Sequence, residues 1–213
     1  MGEKHMPVCF VFAAGDGYGL PERPGTADVI IAADAGYALC RREGLKPDLV
    51  VGDFDSSAAP EGERVLRLPV EKDDTDTLRA LREGLALGCR EFVIVGGTGG
   101  KRPDHTLANL QCLLFLAARG AHGRMYGDGV LWRTVCRERV DFPAGSRGTL
   151  SLFCLGEEAR GVTLRGLKYN LENAAIRADF PIGVSNSFVG GPASVEVREG
   201  CLLMMTELTE DEE

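Results

Sequence analysis

Residues 48–56, Asp-Leu-Val-Val-Gly-Asp-Phe-Asp-Ser, constrain this chain more than any other stretch. Leu49, Val50 and Val51 read as a short apolar strand that breaks at Gly52. Two carboxylates, Asp53 and Asp55, follow with one residue between them. Side chains alternate along an extended chain, so the pair points to one side, about 7 Å apart at the backbone. Like charges that close repel unless a cation sits between them. Oxygen-only ligands favour a hard divalent ion such as Mg²⁺. The competing reading is a polar loop at a strand end, with Asp55 or Ser56 capping a turn. The stretch alone does not separate the two.

Its surroundings are a run of similar units. Apolar strands are expected at 8–14, 29–33, 49–51, 64–70 and 92–95. Helices are expected at 37–43, stopped by Gly44, and at 77–87, with Leu78, Leu81 and Leu85 on one face and Gly88 as the stop. A third, at 105–119, carries Leu107, Leu110, Leu113, Leu114 and Ala117 as its stripe and Gly120 as its stop. Alternating strands and helices imply an α/β fold, a mostly parallel sheet flanked by helices. Ligands bind such sheets beyond the carboxyl ends of the strands. Gly15, Asp34, Asp53 and the run from Gly96 all fall there.

After about residue 125 the helical stripes stop. Strands are expected at 130–135, 148–155, 161–167, 174–177, 194–198 and 201–206, separated by turns such as Pro143-Ala144-Gly145. That pattern implies a small antiparallel β-sandwich or barrel. The boundary falls near 125–140.

A second acidic cluster, Lys72-Asp73-Asp74-Thr75-Asp76-Thr77, precedes a helix. Asp74 or Asp76 could cap that helix, but one cap needs one acid and three occur within four residues. A third cluster is Gly96-Gly97-Thr98-Gly99-Gly100-Lys101-Arg102-Pro103-Asp104-His105, between a strand and a helix. Glycines let backbone N–H groups approach phosphate oxygens, and Lys101 and Arg102 add charge for an anion. The alternative is a plain loop with Asp104 as the helix cap. The loop is not a Walker A motif, because position 95 is Val and no Ser or Thr follows Lys101. Gly15-x-Gly17-x-Gly19 misses the dinucleotide fingerprint, because position 20 is Leu. His105 is either a ligand contact or a surface residue, and His5 and His122 are expected at the surface. Carboxylates for a metal and a glycine–cation loop for phosphate together imply metal-dependent phosphoryl chemistry.

Composition narrows the partners. The 28 glycines are about twice the average share of ~7%, so tight turns or close backbone approaches are many. The net charge of −8 leaves no basic patch, which argues against nucleic acid. Seven scattered cysteines without a Cys-x-x-Cys point to reduced thiols in a cytoplasmic protein, with neither a zinc site nor a disulfide framework. The N-terminal residues lack a signal peptide's apolar core, and no apolar run approaches the ~20 residues of a membrane span.

The motifs together resemble the thiamine pyrophosphokinase family. The matching residues are Ala33-Asp34-Ala35-Gly36, Gly44-Leu45-Lys46-Pro47-Asp48, Gly52-Asp53-Phe54-Asp55-Ser56, Lys72-Asp73-Asp74-Thr75-Asp76, Gly96 to Gly100 and Asp104 to Asn109. Gly166-Leu167-Lys168-Tyr169 and Gly183-Val184-Ser185-Asn186-Ser187 continue the match. The resemblance implies an ATP-binding catalytic α/β domain over residues 1–130, a thiamine-binding β-sandwich over 131–208 and an acidic tail at 209–213. It implies a homodimer with sites formed between subunits. It implies transfer of diphosphate from ATP to the thiamine hydroxyl, releasing AMP. By motif, Asp53, Asp55, Asp73 and Asp76 would hold Mg²⁺ and the triphosphate, and Asp73 or Asp76 would accept the hydroxyl proton. Asp34, Thr98, Gly99, Gly100, Lys101, Arg102, Asp104 and His105 would face ATP. Ser185 and Asn186 would line the thiamine pocket, with Trp132, Tyr169 or Phe188 as the stacking ring. The loop here carries Lys101-Arg102-Pro103 where the family usually has one basic residue and one spacer, so either cation could take the phosphate. The rival readings are a diphosphokinase for another alcohol, such as a hydroxymethylpterin, and a non-catalytic sensor of ATP or thiamine diphosphate.

Overall fold

Val8–Phe12 is an unbroken apolar run, too short for a helix and without a polar face, and it forms the central strand β1. The structure, a computed structural model, describes residues 6–54, 60–69 and 73–208. It divides into two compact units, the first extending to Asp128 and the second starting at Gly129. In the first unit β1 is joined by β2 (Val29–Ala33), β3 (Leu49–Gly52), β4 (Val65–Arg67), β5 (Glu91–Val95) and β6 (His122–Gly127). They run in the order β6-β5-β1-β2-β3-β4. Each adjacent pair is parallel, so all carboxyl ends share one edge. Strand β6 was not expected. Its buried positions are Gly123, Met125 and Gly127, and two glycines leave no hydropathy signal.

Helix α1 (Gly36–Arg42) packs Leu39 and Cys40 against Phe10, Phe12, Val93 and Val95 on one face of the sheet. Helix α2 (Asp76–Ala86) lies on the other, with Gly84 against the Cys9 sulfur and the Phe92 ring. An added Cβ at Gly84 would come within 2.7 Å of both, so this glycine sets how closely the helix approaches. The buried stripe of α2 is therefore the small set Thr77, Ala80, Leu81 and Gly84, not the expected Leu78, Leu81 and Leu85. Helix α3 (Pro103–Ala117) buries Asn109, Cys112, Leu113 and Leu116, while the expected Leu107 is 53% exposed. An asparagine can head that stripe because its side chain has a buried backbone partner, described below. Both helix starts differ from expectation. Thr75, not an aspartate, caps α2 by accepting the Leu78 N–H at 3.1 Å. In α3 the cap position is Arg102 and Pro103 opens the first turn, which needs no N–H there.

The second unit contains β7 (Val130–Val135), β8 (Arg139–Phe142), β9 (Thr149–Phe153) and β10 (Glu158–Arg165). It continues with β11 (Leu171–Arg177), β12 (Asn186–Ser187), β13 (Ala193–Glu196) and β14 (Leu202–Glu207). The antiparallel rows β12-β9-β14-β7 and β11-β10-β13-β8 enclose one core. Val135, Leu150, Leu152 and Met204 come from the first row, and Val162, Leu164, Ile176 and Val195 from the second. This is the α/β fold followed by an antiparallel sandwich that the pattern implies. The tail at 209–213 lies outside the described residues.

One pair of sulfurs corrects the expectation of seven reduced thiols. Cys136 and Cys201 are bonded, with their Cα atoms 4.1 Å apart. The register that sets Val135 opposite Leu202 makes them cross-strand neighbours, a juxtaposition that a separation of 65 residues hides in sequence. The other five cysteines are buried. The neighbouring Cys89 thiol and burial raise the Cys9 thiol, and burial pushes Cys40 and Cys112 up to about 11. Because all five free thiols are buried, native protein at pH 8 should react with almost no thiol reagent. Unfolding without reductant should expose five thiols, and unfolding with prior reduction seven, the full count. Seven without reductant would show that the bond is absent in the purified protein.

Candidate active site

The chain leaves β1 toward β2 on one side and β5 toward β6 on the other, although β1 and β5 are neighbours. Divergence of this kind opens a crevice at the carboxyl edge of a parallel sheet. A cleft of about 230 Å³ lies there. Its walls include Ala14 and Gly15 after β1, Asp34 after β2, Thr75 and Asp76 at the start of α2, and residues of the glycine loop after β5.

Asp34 sits in the left-handed region with φ 46°, unusual for a residue with a side chain. The turn is held on both sides: the Asp34 N–H donates to Val51 O at 2.7 Å, and Asp34 O accepts the Tyr37 N–H at 3.0 Å. Gly52 lies close against it, since an added Cβ there would lie 3.3 Å from the Asp34 Cα. The pairing of Ala33 with Val51 brings Asp34 and Asp53 to adjoining strand ends. Phe54 follows at φ 54°, with the Arg67 guanidinium 5.5 Å from its ring centre. Two such non-glycine residues at one sheet edge mark stored backbone strain of the sort found at ligand sites.

Across the cleft the loop is shaped by its glycines. Gly96, Gly99 and Gly100 have φ of 68°, 77° and 71°. The Asn109 side chain, buried in α3, donates Nδ2–H to Gly97 O at 2.8 Å and pins the start of the loop. Thr98 Oγ1 is buried and has no hydrogen-bond partner among the described residues. Gly99, Gly100, Lys101, Arg102 and His105 line the cleft. Arg102 grips Asp104 in a fork, Nε to Oδ1 at 2.9 Å and Nη2 to Oδ2 at 2.6 Å. That fork, chiefly its hydrogen bond, lowers the Asp104 carboxyl to about 2. A depressed carboxylate keeps its partner above the unfolded value and loses it as pH falls toward the folded one. The fork therefore persists at any pH above about 4.

The structure thus gathers Asp34, Asp76, Gly99, Gly100, Lys101, Arg102 and His105 around one cleft. Asp73 instead lines a neighbouring hollow with Asp74, Arg79 and Arg82, where Arg82 pairs with Asp74 at 3.2 Å. Asp55 and Lys72 lie outside the described residues. Among the described residues no three carboxylate, imidazole or thiol side chains are grouped closely enough to hold an ion.

Comparison with known proteins gives the family of the chain. Residues 25–122 match the catalytic-domain model of thiamin pyrophosphokinase, and residues 138–202 match the vitamin B1 binding domain model of the same enzyme. This chain belongs to the thiamine pyrophosphokinase family. A Bacillus subtilis thiamine pyrophosphokinase is 27% identical over 219 residues, covering 94% of this chain and 98% of that protein. A crystal structure of the B. subtilis enzyme superposes with a TM-score of 0.83 at 24% identity, covering 94% and 99% of the two chains. A family member from Enterococcus faecalis gives a TM-score of 0.78 at 28% identity, covering 96% and 100%. The activity of the family is transfer of diphosphate from ATP to thiamine, and this chain is a thiamine diphosphokinase by that membership.

The pyrophosphokinase motif in the second unit has a definite local structure. Ser185 is left-handed at φ 59°, and its N–H donates to Ser151 Oγ at 3.0 Å. Asn186 is buried and spends its side chain on the chain around it. Its Oδ1 accepts from the Tyr169 N–H at 3.0 Å and the Ser187 N–H at 2.9 Å, and its Nδ2–H donates to Tyr169 O at 2.7 Å. Asn186 thereby fixes the backbone of Tyr169, a residue that is 58% exposed. Of the three aromatic candidates, Phe188 packs edge-on against Phe142 in the core, 5.0 Å between centres. Trp132 is half-buried beside Phe153, so it and Tyr169 offer the accessible ring faces.

Sequence reasoning passed over Thr75, Asn109 and Asp16. The polar Asn109 on a buried helical face was the one readable signal among them.

Proposed function

We propose that the first-unit cleft holds the triphosphate of ATP while thiamine presents its hydroxyl, and that Asp76 accepts the hydroxyl proton. The observation that carries this is the single cleft in which Asp34 and Asp76 face the glycine loop and its two cations. Of the two aspartates able to serve as base, Asp76 lines the cleft and Asp73 the hollow beside it. Since the helix cap is Thr75, Asp76 is not required for capping.

Transfer of an intact diphosphate with AMP as leaving group fixes the bonds. The thiamine oxygen bonds to the β-phosphorus, and the bridge between α- and β-phosphorus breaks with its oxygen staying on AMP. The proton goes from the hydroxyl to the Asp76 carboxylate. Arg102, pre-set by Asp104, presents a planar donor fork to phosphate oxygens, and Lys101 adds a point charge. The expected ligands Asp53, Asp55, Asp73 and Asp76 would supply carboxylate oxygens alone, the donor type that suits Mg²⁺. When bound, Mg²⁺ neutralises charge on the transferred group.

The second unit supplies the thiamine side through Ser185, the Asn186-held Tyr169 and Trp132. A homodimer with shared sites suits its exposed apolar side chains, Tyr169, Phe180, Val184 and Val189. We place the protein in the cytoplasm, where ATP is made and used. Incubation with Mg²⁺, ATP and thiamine should give AMP and thiamine diphosphate in equal amounts. AMP formed only with a different alcohol would reassign the acceptor, and ATP binding without AMP would make the protein a sensor.

A further inference from the structure

In the stretch 15–19, Gly-Asp-Gly-Tyr-Gly, Gly15 lines the cleft and the residues after it have no part in the chemistry above. The fold nevertheless lays the stretch along the glycine loop. The Ala13 N–H donates to Val95 O at 2.8 Å, the Gly15 N–H to Gly96 O at 2.7 Å, and the Asp16 N–H to Thr98 O at 2.9 Å. The pairing of β1 with β5 thus continues past both strand ends. The Asp16 carboxylate closes the run, its Oδ2 accepting the Gly100 N–H at 2.7 Å. Contact is tight: an added Cβ on Gly15 would lie 2.3 Å from Thr98 O, and one on Gly99 would lie 2.5 Å from Asp16 Oδ2. Farther along the same connection Glu22 is clamped to β6. It accepts from Arg124 Nε and Nη2 and from Tyr126 Oη, each at 3.0 Å.

Gly99 and Gly100 have no side chains with which to hold themselves, and both sit at positive φ. Such a loop keeps one shape only if something outside it supplies the constraint. We propose that Asp16 is a positioning residue for the nucleotide, fixing Gly100 so that Lys101 and Arg102 stand at the cleft. The proposal rests on reading the cleft as the ATP site. It also assigns the Gly100 N–H to Asp16 rather than to a phosphate oxygen. Geometry of the acceptor, not its charge, is the essential feature, because the contact is made to a backbone amide.

Three variants separate geometry from charge. Asp16→Ala removes the acceptor, Asp16→Glu keeps the charge but displaces the acceptor by a methylene, and Asp16→Asn keeps an oxygen in place without the charge. ATP affinity is measured by calorimetry with Mg²⁺, and KM for each substrate by AMP release. Asp16→Ala and Asp16→Glu should weaken ATP binding and raise its KM about tenfold, the usual scale for losing a charged hydrogen bond. KM for thiamine and kcat should stay within about twofold, and Asp16→Asn should recover most of the ATP affinity. A general loss of structure would move both KM values together. Unchanged or tighter ATP binding in Asp16→Ala overturns the proposal, as does a wild-type-like Asp16→Glu beside a defective Asp16→Asn. Should Asp16→Ala fail to fold, the Glu and Asn variants decide alone. A wild type without ATP affinity removes the ATP site first, and the proposal with it.

Discussion

Asp76→Asn should lower kcat for AMP formation by at least about 1,000-fold while the protein stays folded. Removing a positioned general base typically loses 10²–10⁴ in rate. Asp76 also stands among the carboxylates expected at the metal, so the upper part of that range applies. A factor of 1,000 corresponds to about 4 kcal/mol of transition-state stabilisation. The fold has little reason to respond. Thr75 makes the side-chain cap of α2, which the substitution leaves in place, and Asp76 contributes its charge to the first turn. That charge is worth roughly 0.3–1 kcal/mol, or a shift of about 1–4 °C in Tm for a chain of this size. The change from Asp to Asn preserves shape and the ability to accept a hydrogen bond, so lost turnover would report the missing proton acceptor and ligand charge. Steady-state AMP release and a thermal melt on the same sample test both halves. A variant retaining a tenth of wild-type kcat would exclude Asp76 as the base and turn attention to Asp73.

Elements whose signal is local were readable in the sequence. Leu49–Gly52 is apolar, bounded and followed by acids, and it forms the strand end expected of it. The glycine loop could be located because a buried strand precedes it and a helix follows. What escaped depends on partners distant in sequence or on backbone atoms. Asn109 is explained by a carbonyl on Gly97, and no side-chain pattern encodes a carbonyl. Cys136 meets Cys201 only once the register of β7 with β14 is fixed. Asp16 finds Gly100 across 84 residues through the adjacency of β1 and β5. The distinction between Asp73 and Asp76 was hidden for a different reason. It is a matter of which cavity each lines, Asp76 the cleft and Asp73 the hollow beside it, and three acids within four residues do not reveal that.

Gly36→Ala should cause the largest loss of stability of any single methyl added near the site. Intrinsic propensity predicts the opposite, because Ala is favoured over Gly within a helix by up to about 1 kcal/mol. Packing decides. An added Cβ on Gly36 would lie 2.0 Å from Phe12 O, 2.5 Å from Phe12 C and 3.0 Å from Ala13 C. All three are backbone atoms at the end of the central strand, so no side chain can rotate away. Relief requires α1 to lift from β1, which separates Leu39 and Cys40 from Phe10 and Phe12. Overpacking a core ordinarily costs about 1–3 kcal/mol and more where backbone must move. A net loss near 3 kcal/mol lowers Tm by about 6–12 °C. The same displacement would drag Asp34, whose carbonyl holds the Tyr37 N–H, out of the cleft wall, so ATP binding should weaken as well. Gly44→Ala is the control. Gly44 has open space around its Cβ position but a φ of 74°, so its penalty is conformational alone, about 1 kcal/mol, and it is remote from Asp34 in its effect. A melt showing Gly36→Ala no worse than Gly44→Ala would mean that α1 is not seated on β1 as closely as this packing requires.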